Sequence, residues 1–421
     1  MRYTTIMAYS KFSSTLIKLT PFWLFLILFK LAAGLHYTLL SPLGSEVFPV
    51  WAVGLLIGGA AFVQLCLDIP AGHLTDRFGY RKMLVVTTLF FIIAAACFAF
   101  GLTQLTFLVS LVISILGWQF FTPGINAYTM AQADHHTIGR LISAKEVFAS
   151  IGIVLASITI IYAVSWQPFI IGAILVIIFI TSLVSILMAP RDKQPIVETP
   201  KTHGRKLHPA FWKEAFVAMH RLKPASYLLM ITSFTASTFY AIIWFVIPLL
   251  IADQVKNGTL GLGLGIFDFS VVVLGFFLGH IIDSFNKKLL ILIGIIVFAV
   301  AGILLGSNFG FVFLLLGFVA TAGDELAELS LWAWLYSTDS EHKHYGLITG
   351  VTEVWSDLGW TVGPILGGIL YTTVGPSWAI AIGGMIILLN LVVYIIMLGH
   401  PLPKIWKSLP IHHKKQPRHK H

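Results

Sequence analysis

Lys30 and the carboxylates Asp68, Glu146, Asp268, Asp324, Glu325, Glu328, Glu353 and Asp357 all fall inside long apolar runs. A charge at the centre of a membrane span costs roughly 2.5–3.5 kcal/mol by insertion scales, so each of these side chains is a candidate for function by default. Asp324 and Glu328 are four residues apart and Glu325 and Glu328 three apart, so the three crowd one side of a helix. Like charges this close cannot all ionise in a low dielectric. At least one of them can therefore take up and release a proton near neutral pH, as proton coupling requires. Glu353 and Asp357 form a second i, i+4 pair. By helical rise, Asp324, Glu325 and Asp357 lie near mid-depth and Glu353 closer to the cytoplasm. Lys30 is either a counter-ion to these acids or a clamp for an anionic substrate. A structural role between helices competes with the functional one, most strongly for Glu146 and Asp268.

The elements that must hold these charges are membrane helices. The chain of 421 residues is 57% hydrophobic and 11% charged, far below the roughly 25% charge of a soluble domain. Apolar runs of about twenty residues place spans near 21–43, 49–70, 83–101, 104–127, 141–164 and 168–188. A second set follows near 225–251, 260–282, 289–306, 309–337, 346–373 and 377–398. This predicts an all-α integral membrane protein of twelve transmembrane helices in two pseudo-symmetric six-helix bundles. The bundles are expected at 1–188 and 225–400. A cytoplasmic linker at 189–224 joins them, and a basic, histidine-rich cytoplasmic tail occupies 401–421. Within the linker, Phe211, Trp212, Ala215, Phe216, Met219 and Leu222 recur at helical spacing, which reads as an amphipathic helix on the membrane surface. Trp118, Tyr240, Trp244, Trp332 and Trp355 are placed to line an apolar cavity.

Charge placement orients the chain. With both termini cytoplasmic, of the 27 lysines and arginines only Lys256 falls outside and Lys30 in mid-span, in accord with the positive-inside rule. That distribution accounts for the formal charge of +9 without a nucleic-acid partner. The tail histidines fit a segment drawn to anionic headgroups better than a metal site. Cys66 and Cys97 give neither a disulfide framework nor a metal pair. No catalytic constellation and no phosphate-binding loop emerges, so an enzyme or an ATP-driven pump is disfavoured and no cofactor is expected.

One short stretch carries both duplication and kinship. Gly72-His73-Leu74-Thr75-Asp76-Arg77-Phe78-Gly79-Tyr80-Arg81-Lys82 lies between the second and third spans. A poorer copy, Gly279-His280-Ile281-Ile282-Asp283-Ser284-Phe285-Asn286-Lys287-Lys288, lies in the second half. Glycine, histidine, aspartate and phenylalanine are displaced by one interval, and the same interval carries Gly139, Glu146, Val147 and Gly152 onto Gly346, Glu353, Val354 and Gly359. A parallel duplication of six spans is a known way to build a transporter.

With twelve spans, a 6+6 duplication and a charged linker, the stretch resembles the loop signature of the major facilitator superfamily, Gly-x-x-x-Asp-Arg-x-Gly-Arg-Arg-(Lys/Arg). Tyr80 stands in place of one arginine, and the preceding Asp68 belongs to a form common in the family. The resemblance implies a latch in which Asp76 docks against the start of the eleventh span, with Arg77, Arg81 and Lys82 fixing topology. Asp283 is its weaker counterpart. It also implies that the first, fourth, seventh and tenth spans line the central cavity, which would put Lys30 beside the tenth-span acids. Gly72 and Gly79 are expected to turn the chain tightly. The fourth-span arginine of many members is replaced here by Ile113, and the glycine-proline pattern of drug antiporters appears only in the eleventh span, at Gly363-Pro364.

The expectation is a monomeric secondary active transporter of a small organic solute, working by alternating access and coupled to protons. It is placed in the plasma or bacterial inner membrane, with export preferred over uptake. A symporter for a sugar or organic anion, and a non-transporting receptor on the same scaffold, are the alternatives.

Overall fold

A computed structural model describes residues 14–132, 138–191, 224–253, 258–307, 310–338 and 345–399. The linker segment Phe211 to Leu222 and the basic tail lie outside the described residues. Twelve long helices run in order: α1 (Thr20–Val47), α2 (Val50–Phe78), α3 (Tyr80–Ala99), α4 (Gln104–Gln132), α5 (Ile138–Ala163) and α6 (Pro168–Met188). They continue as α7 (Pro224–Asp253), α8 (Gly258–Ser284), α9 (Lys287–Leu305), α10 (Phe311–Thr338), α11 (Tyr345–Val374) and α12 (Pro376–Gly399). Prolines open α1 and α6, where the missing N–H costs nothing. Gly79, Gly101 and Gly375 adopt positive φ where successive helices meet.

Among the described residues, nine of these helices have a stretch long and apolar enough to cross a membrane. The others are α8, α10 and α11; α10 carries Asp324, Glu325 and Glu328, and α11 carries Glu353 and Asp357. Large apolar side chains such as Phe62, Ile93, Val112, Ile177 and Ile395 stand exposed along the helices. In water that would be a liability; on a membrane protein it is the lipid-facing surface.

The duplication read from the sequence governs the whole architecture. The interval that carries Gly72 onto Gly279 also carries the first residues of α3, α4 and α5 onto those of α9, α10 and α11: Tyr80 to Lys287, Gln104 to Phe311, Ile138 to Tyr345. In the first half α1 packs on α5 and α6, α3 on α4 and α6, and α2 on α4. In the second half α7 packs on α11 and α12, α9 on α10 and α12, and α8 on α10. Each of these pairings recurs six helices later.

The halves meet at α2 with α11, α8 with α5, and α1 with α7. Lipid tails are as apolar as the helices, so close approach at small residues supplies much of the packing energy. A Cβ on Gly54 would strike the Pro364 carbonyl and come within 3.1 Å of Gly368 Cα. One on Gly58 would strike the Thr361 carbonyl. At the equivalent crossing, a Cβ on Gly261 would strike the Ile161 side chain and come within 3.0 Å of the Ser157 carbonyl. Gly54 and Gly261, Pro364 and Ser157, and Gly368 and Ile161 are all related by the duplication interval. Both crossings lie toward the helix ends remote from the Gly72–Lys82 stretch.

That stretch is less of a loop than expected. α2 runs to Phe78, so Gly72 sits inside the helix and only Gly79, at φ 96°, makes the turn. The charged residues there are compatible with helix because they lie beyond the apolar core of the membrane. In the second half Asn286 occupies the place of Gly79. It caps α9 instead, its side chain accepting from the Lys288 N–H at 3.0 Å. Arg81 has a packing role besides its charge: its guanidinium donates to the Ile186 and Leu187 carbonyls at the end of α6. Arg77 lies against the Phe78 ring, 5.7 Å from its centroid, and Lys82 is exposed. The side-chain placements of Asp68, Asp76 and Asp283, and with them the latch, lie outside what is described.

Candidate functional site

Six of the charges inside the membrane line one or other of two cavities, and Glu325 lines neither. The larger, about 380 Å³, opens between the halves and is lined by Lys30 and Tyr37 of α1, Trp118 of α4, Asp268 of α8, and Asp357 and Trp360 of α11. The Lys30 ammonium lies over two aromatic faces, 4.9 Å from the Trp118 centroid and 5.0 Å from that of Phe121. Such contacts are worth roughly 0.5–2 kcal/mol, more when desolvated. Asp268 and Glu146 act on Lys30 electrostatically. Glu146 itself is exposed and pairs with Lys145 at 2.6 Å, while the Lys145 ammonium also donates to Asn126 at 2.6 Å.

The position of Lys30 is set by the backbone around it. A Cβ on Gly152 would come within 2.6 Å of the Ile27 carbonyl and 2.7 Å of Lys30 Cβ, so α5 lies directly on the turn that carries the lysine. The duplicate crossing matches residue for residue. A Cβ on Gly359 would come within 2.5 Å of the Phe234 carbonyl and 2.7 Å of Ser237 Cβ. Ser237 therefore stands where Lys30 stands in the first half, and Glu325 and Glu328 stand where Trp118 and Phe121 do. One turn and a half beyond Lys30, His36 meets the Ser110 hydroxyl at 3.0 Å and stacks on Phe98 at 5.3 Å. Ser110 in turn donates to the Ala94 carbonyl at 2.8 Å.

The second cavity, about 160 Å³, lies within the second half between α7, α10 and α11. Asp324, Glu328 and Glu353 line it together with Ser237, Tyr240 and Ser356. The Tyr240 hydroxyl donates to Asp324 Oδ2 at 2.8 Å, and the Trp332 indole N–H points at Glu328 Oε1, 3.4 Å away. The Ser237 and Ser356 hydroxyls are 2.7 Å apart. Asp324 is only 6% exposed, and its Oδ1 has no hydrogen-bond partner among the described residues. An unpartnered oxygen of that kind costs about 1–3 kcal/mol, more if charged. Glu325 and Glu328 both act on Asp324 electrostatically, so the trio expected from the i, i+3 and i, i+4 spacing is assembled.

The expected neighbourhood of Lys30 differs. Asp324 is turned toward Tyr240 of α7, inside its own half, and Asp268 of α8 shares the Lys30 cavity instead. Glu353 and Asp357 face different cavities despite their i, i+4 spacing. Of the expected aromatics, Trp118 and Trp244 line the larger cavity and Tyr240 and Trp332 the smaller, while Trp355 packs edge-on against Phe234. Gly363 and Pro364 belong to the helix crossings: a Cβ on Gly363 would meet Ala241 and the Thr238 carbonyl, and Pro364 meets Gly54. Among the described residues no cluster of His, Cys, Asp and Glu could hold a metal ion.

Two duplicated six-helix bundles closing on a charged cavity are the build of a multi-pass membrane carrier. The chain belongs to the Major Facilitator Superfamily, whose model matches residues 12–255 and again 229–420. Solved structures share the fold at low identity. The nucleoside transporter NupG is 13% identical, with 91% of this chain and 99% of that one covered at a TM-score of 0.69. The human organic anion transporter MFSD10 is 14% identical, with 89% and 98% covered at 0.61. A POT family transporter in complex with 5-aminolevulinic acid is 14% identical, with 90% and 95% covered at 0.65. No curated protein matches the chain by sequence.

Proposed function

We propose that this chain is a secondary active transporter that moves a small organic solute by alternating access, in exchange for protons, with export preferred over uptake. The observation that carries the reading is the larger cavity, whose charged walls come from both halves: Lys30 from one, Asp268 and Asp357 from the other. A site shared in this way is remade whenever the halves rock against each other. Family membership supports secondary transport, and the neighbours of like fold are named for small organic solutes. The Gly54 and Gly261 crossings seal the cavity at one end. With the basic residues cytoplasmic, that end is external and the conformation faces inward.

Asp324, Glu325 and Glu328 of α10 carry the proton, Asp324 and Glu328 from a pocket distinct from the solute site. Asp76 serves as the latch, and both termini lie in the cytoplasm of a plasma or bacterial inner membrane. The same reading divides the chain at 1–188 and 225–400, with the linker between and the tail beyond. In proteoliposomes, Asp324→Asn, Glu325→Gln and Glu328→Gln should each weaken transport driven by a pH gradient, while counterflow of labelled solute persists. Full gradient-driven transport in all three variants rules out coupling through α10. Binding without counterflow in the unmodified protein would identify a receptor.

A further inference from the structure

We infer that the smaller cavity is a second ligand site, one that takes the primary ammonium end of a small unbranched amine. This site is separate from the solute cavity and does not depend on how that cavity is read. In the first half, Phe29 stacks on Phe121 at 4.4 Å, and the Lys30 ammonium lies 5.0 Å from the same ring. The duplication interval carries Phe29, Lys30 and Phe121 onto Ala236, Ser237 and Glu328, and all three of these line the smaller cavity. Where one half holds a phenyl ring and a lysine stem of its own, the other has an open pocket. A carboxylate stands there in place of the aromatic seat of the ammonium.

The chemistry of the wall agrees. Asp324 is buried, and its Oδ1 has no hydrogen-bond partner among the described residues. The groups that donate to Asp324 and Glu328, the Tyr240 hydroxyl and the Trp332 indole, are both neutral. Among the described residues no basic side chain lines the cavity or acts on either carboxylate. Buried charges are kept where they are paired. A primary ammonium brings both a positive charge and three N–H donors. Asp324 Oδ1, Glu328 and the Ser237 and Ser356 hydroxyls, 2.7 Å apart, are the acceptors it would meet. A metal ion fits less well, because no cluster of His, Cys, Asp and Glu among the described residues could hold one. About 160 Å³ is below the roughly 300–1,000 Å³ of drug-sized sites, which restricts the ligand to a short, unbranched amine. An amine seated there holds the carboxylates that a proton would otherwise take.

n-Butylammonium, the lysine side chain as a free molecule, tests this on the purified full-length protein in lipid nanodiscs. It is compared with n-butanol, n-butyltrimethylammonium and sodium ion. With Cys66 and Cys97 replaced, Ser233→Cys puts a thiol in the cavity wall, and its labelling by methyl methanethiosulfonate is the readout. n-Butylammonium should slow labelling at a concentration at least about tenfold lower than any of the other three. Asp324→Asn and Glu328→Gln should each raise that concentration about tenfold. Ser237→Lys should fill the site from within, so that protection by the amine is lost while the melting temperature stays above that of Ser237→Met. Equal protection by any comparison compound overturns the inference. Butanol would show a pocket that reads only the stem, n-butyltrimethylammonium one that needs no N–H donor, and sodium ion a site for hard cations. An absence of protection, with no rise in melting temperature on adding n-butylammonium, overturns it as well. None of these results bears on the larger cavity, whose part in transport is tested by counterflow.

Discussion

Gly54→Ala should loosen the sealed end of the protein. The added methyl meets the Pro364 carbonyl and lies within 3.1 Å of Gly368 Cα, both backbone atoms that no rotamer change can move. Relief requires α2 and α11 to separate by a few tenths of an ångström or more. Overpacking of this kind costs roughly 1–3 kcal/mol, and it falls on the sealed conformation alone. The equilibrium should therefore shift toward opening by roughly 5- to 150-fold. Gly261→Ala, at the duplicate crossing, should do less, because its nearest obstacle is the Ile161 side chain and not backbone. Gly59 has nothing within 4 Å of an added Cβ, so Gly59→Ala is a control on the same helix. With Cys66 and Cys97 replaced, a cysteine at Ala61 reports access to the cavity through its labelling rate by an impermeant maleimide from the Gly54 side. The expected order is Gly54→Ala fastest, then Gly261→Ala, with Gly59→Ala unchanged. Equal rates in all three would refute the assignment of the seal to these crossings.

Other perturbations test the sites themselves. Tyr240→Phe removes the hydroxyl that donates to Asp324 and should cost about 1–3 kcal/mol in thermal denaturation, with loss of gradient-driven transport. Ser110→Ala deprives His36 of its partner, and its melting temperature should fall while solute binding survives. Gly152→Ala pushes against the turn bearing Lys30, so it should weaken solute binding more than it lowers stability; the opposite ranking would remove α5 from the positioning of the lysine. Asp76→Asn should slow transport in proteoliposomes, and a wild-type rate would dispose of the latch.

What the sequence revealed and what it concealed divide along physical lines. The duplication was visible at Gly72 and Gly279 because helices packed in the same pairs tolerate no insertions, which keeps one interval intact throughout. Span ends were less clear. The second span was expected to stop near residue 70, yet α2 continues to Phe78, since charged residues end an apolar run without ending a helix. The crowding of Asp324, Glu325 and Glu328 followed from helical spacing alone. Their separation from Lys30 did not, because it depends on which way α10 faces, and the Tyr240 to Asp324 bond joins residues far apart in the chain. Asp268 offered only one signal, a lone acid in an apolar helix, which a structural role explains equally well.

The matching crossings at Gly152 and Gly359 bear on how a cargo must travel. A newly duplicated chain has the same side chains at matching places, and a passenger could lie in it either way round. Here the scaffold has stayed paired while Lys30, Trp118 and Phe121 have diverged from Ser237, Glu325 and Glu328. The passage has thereby acquired a head and a tail. A molecule with two unlike ends should therefore meet these walls in one orientation better than in the other.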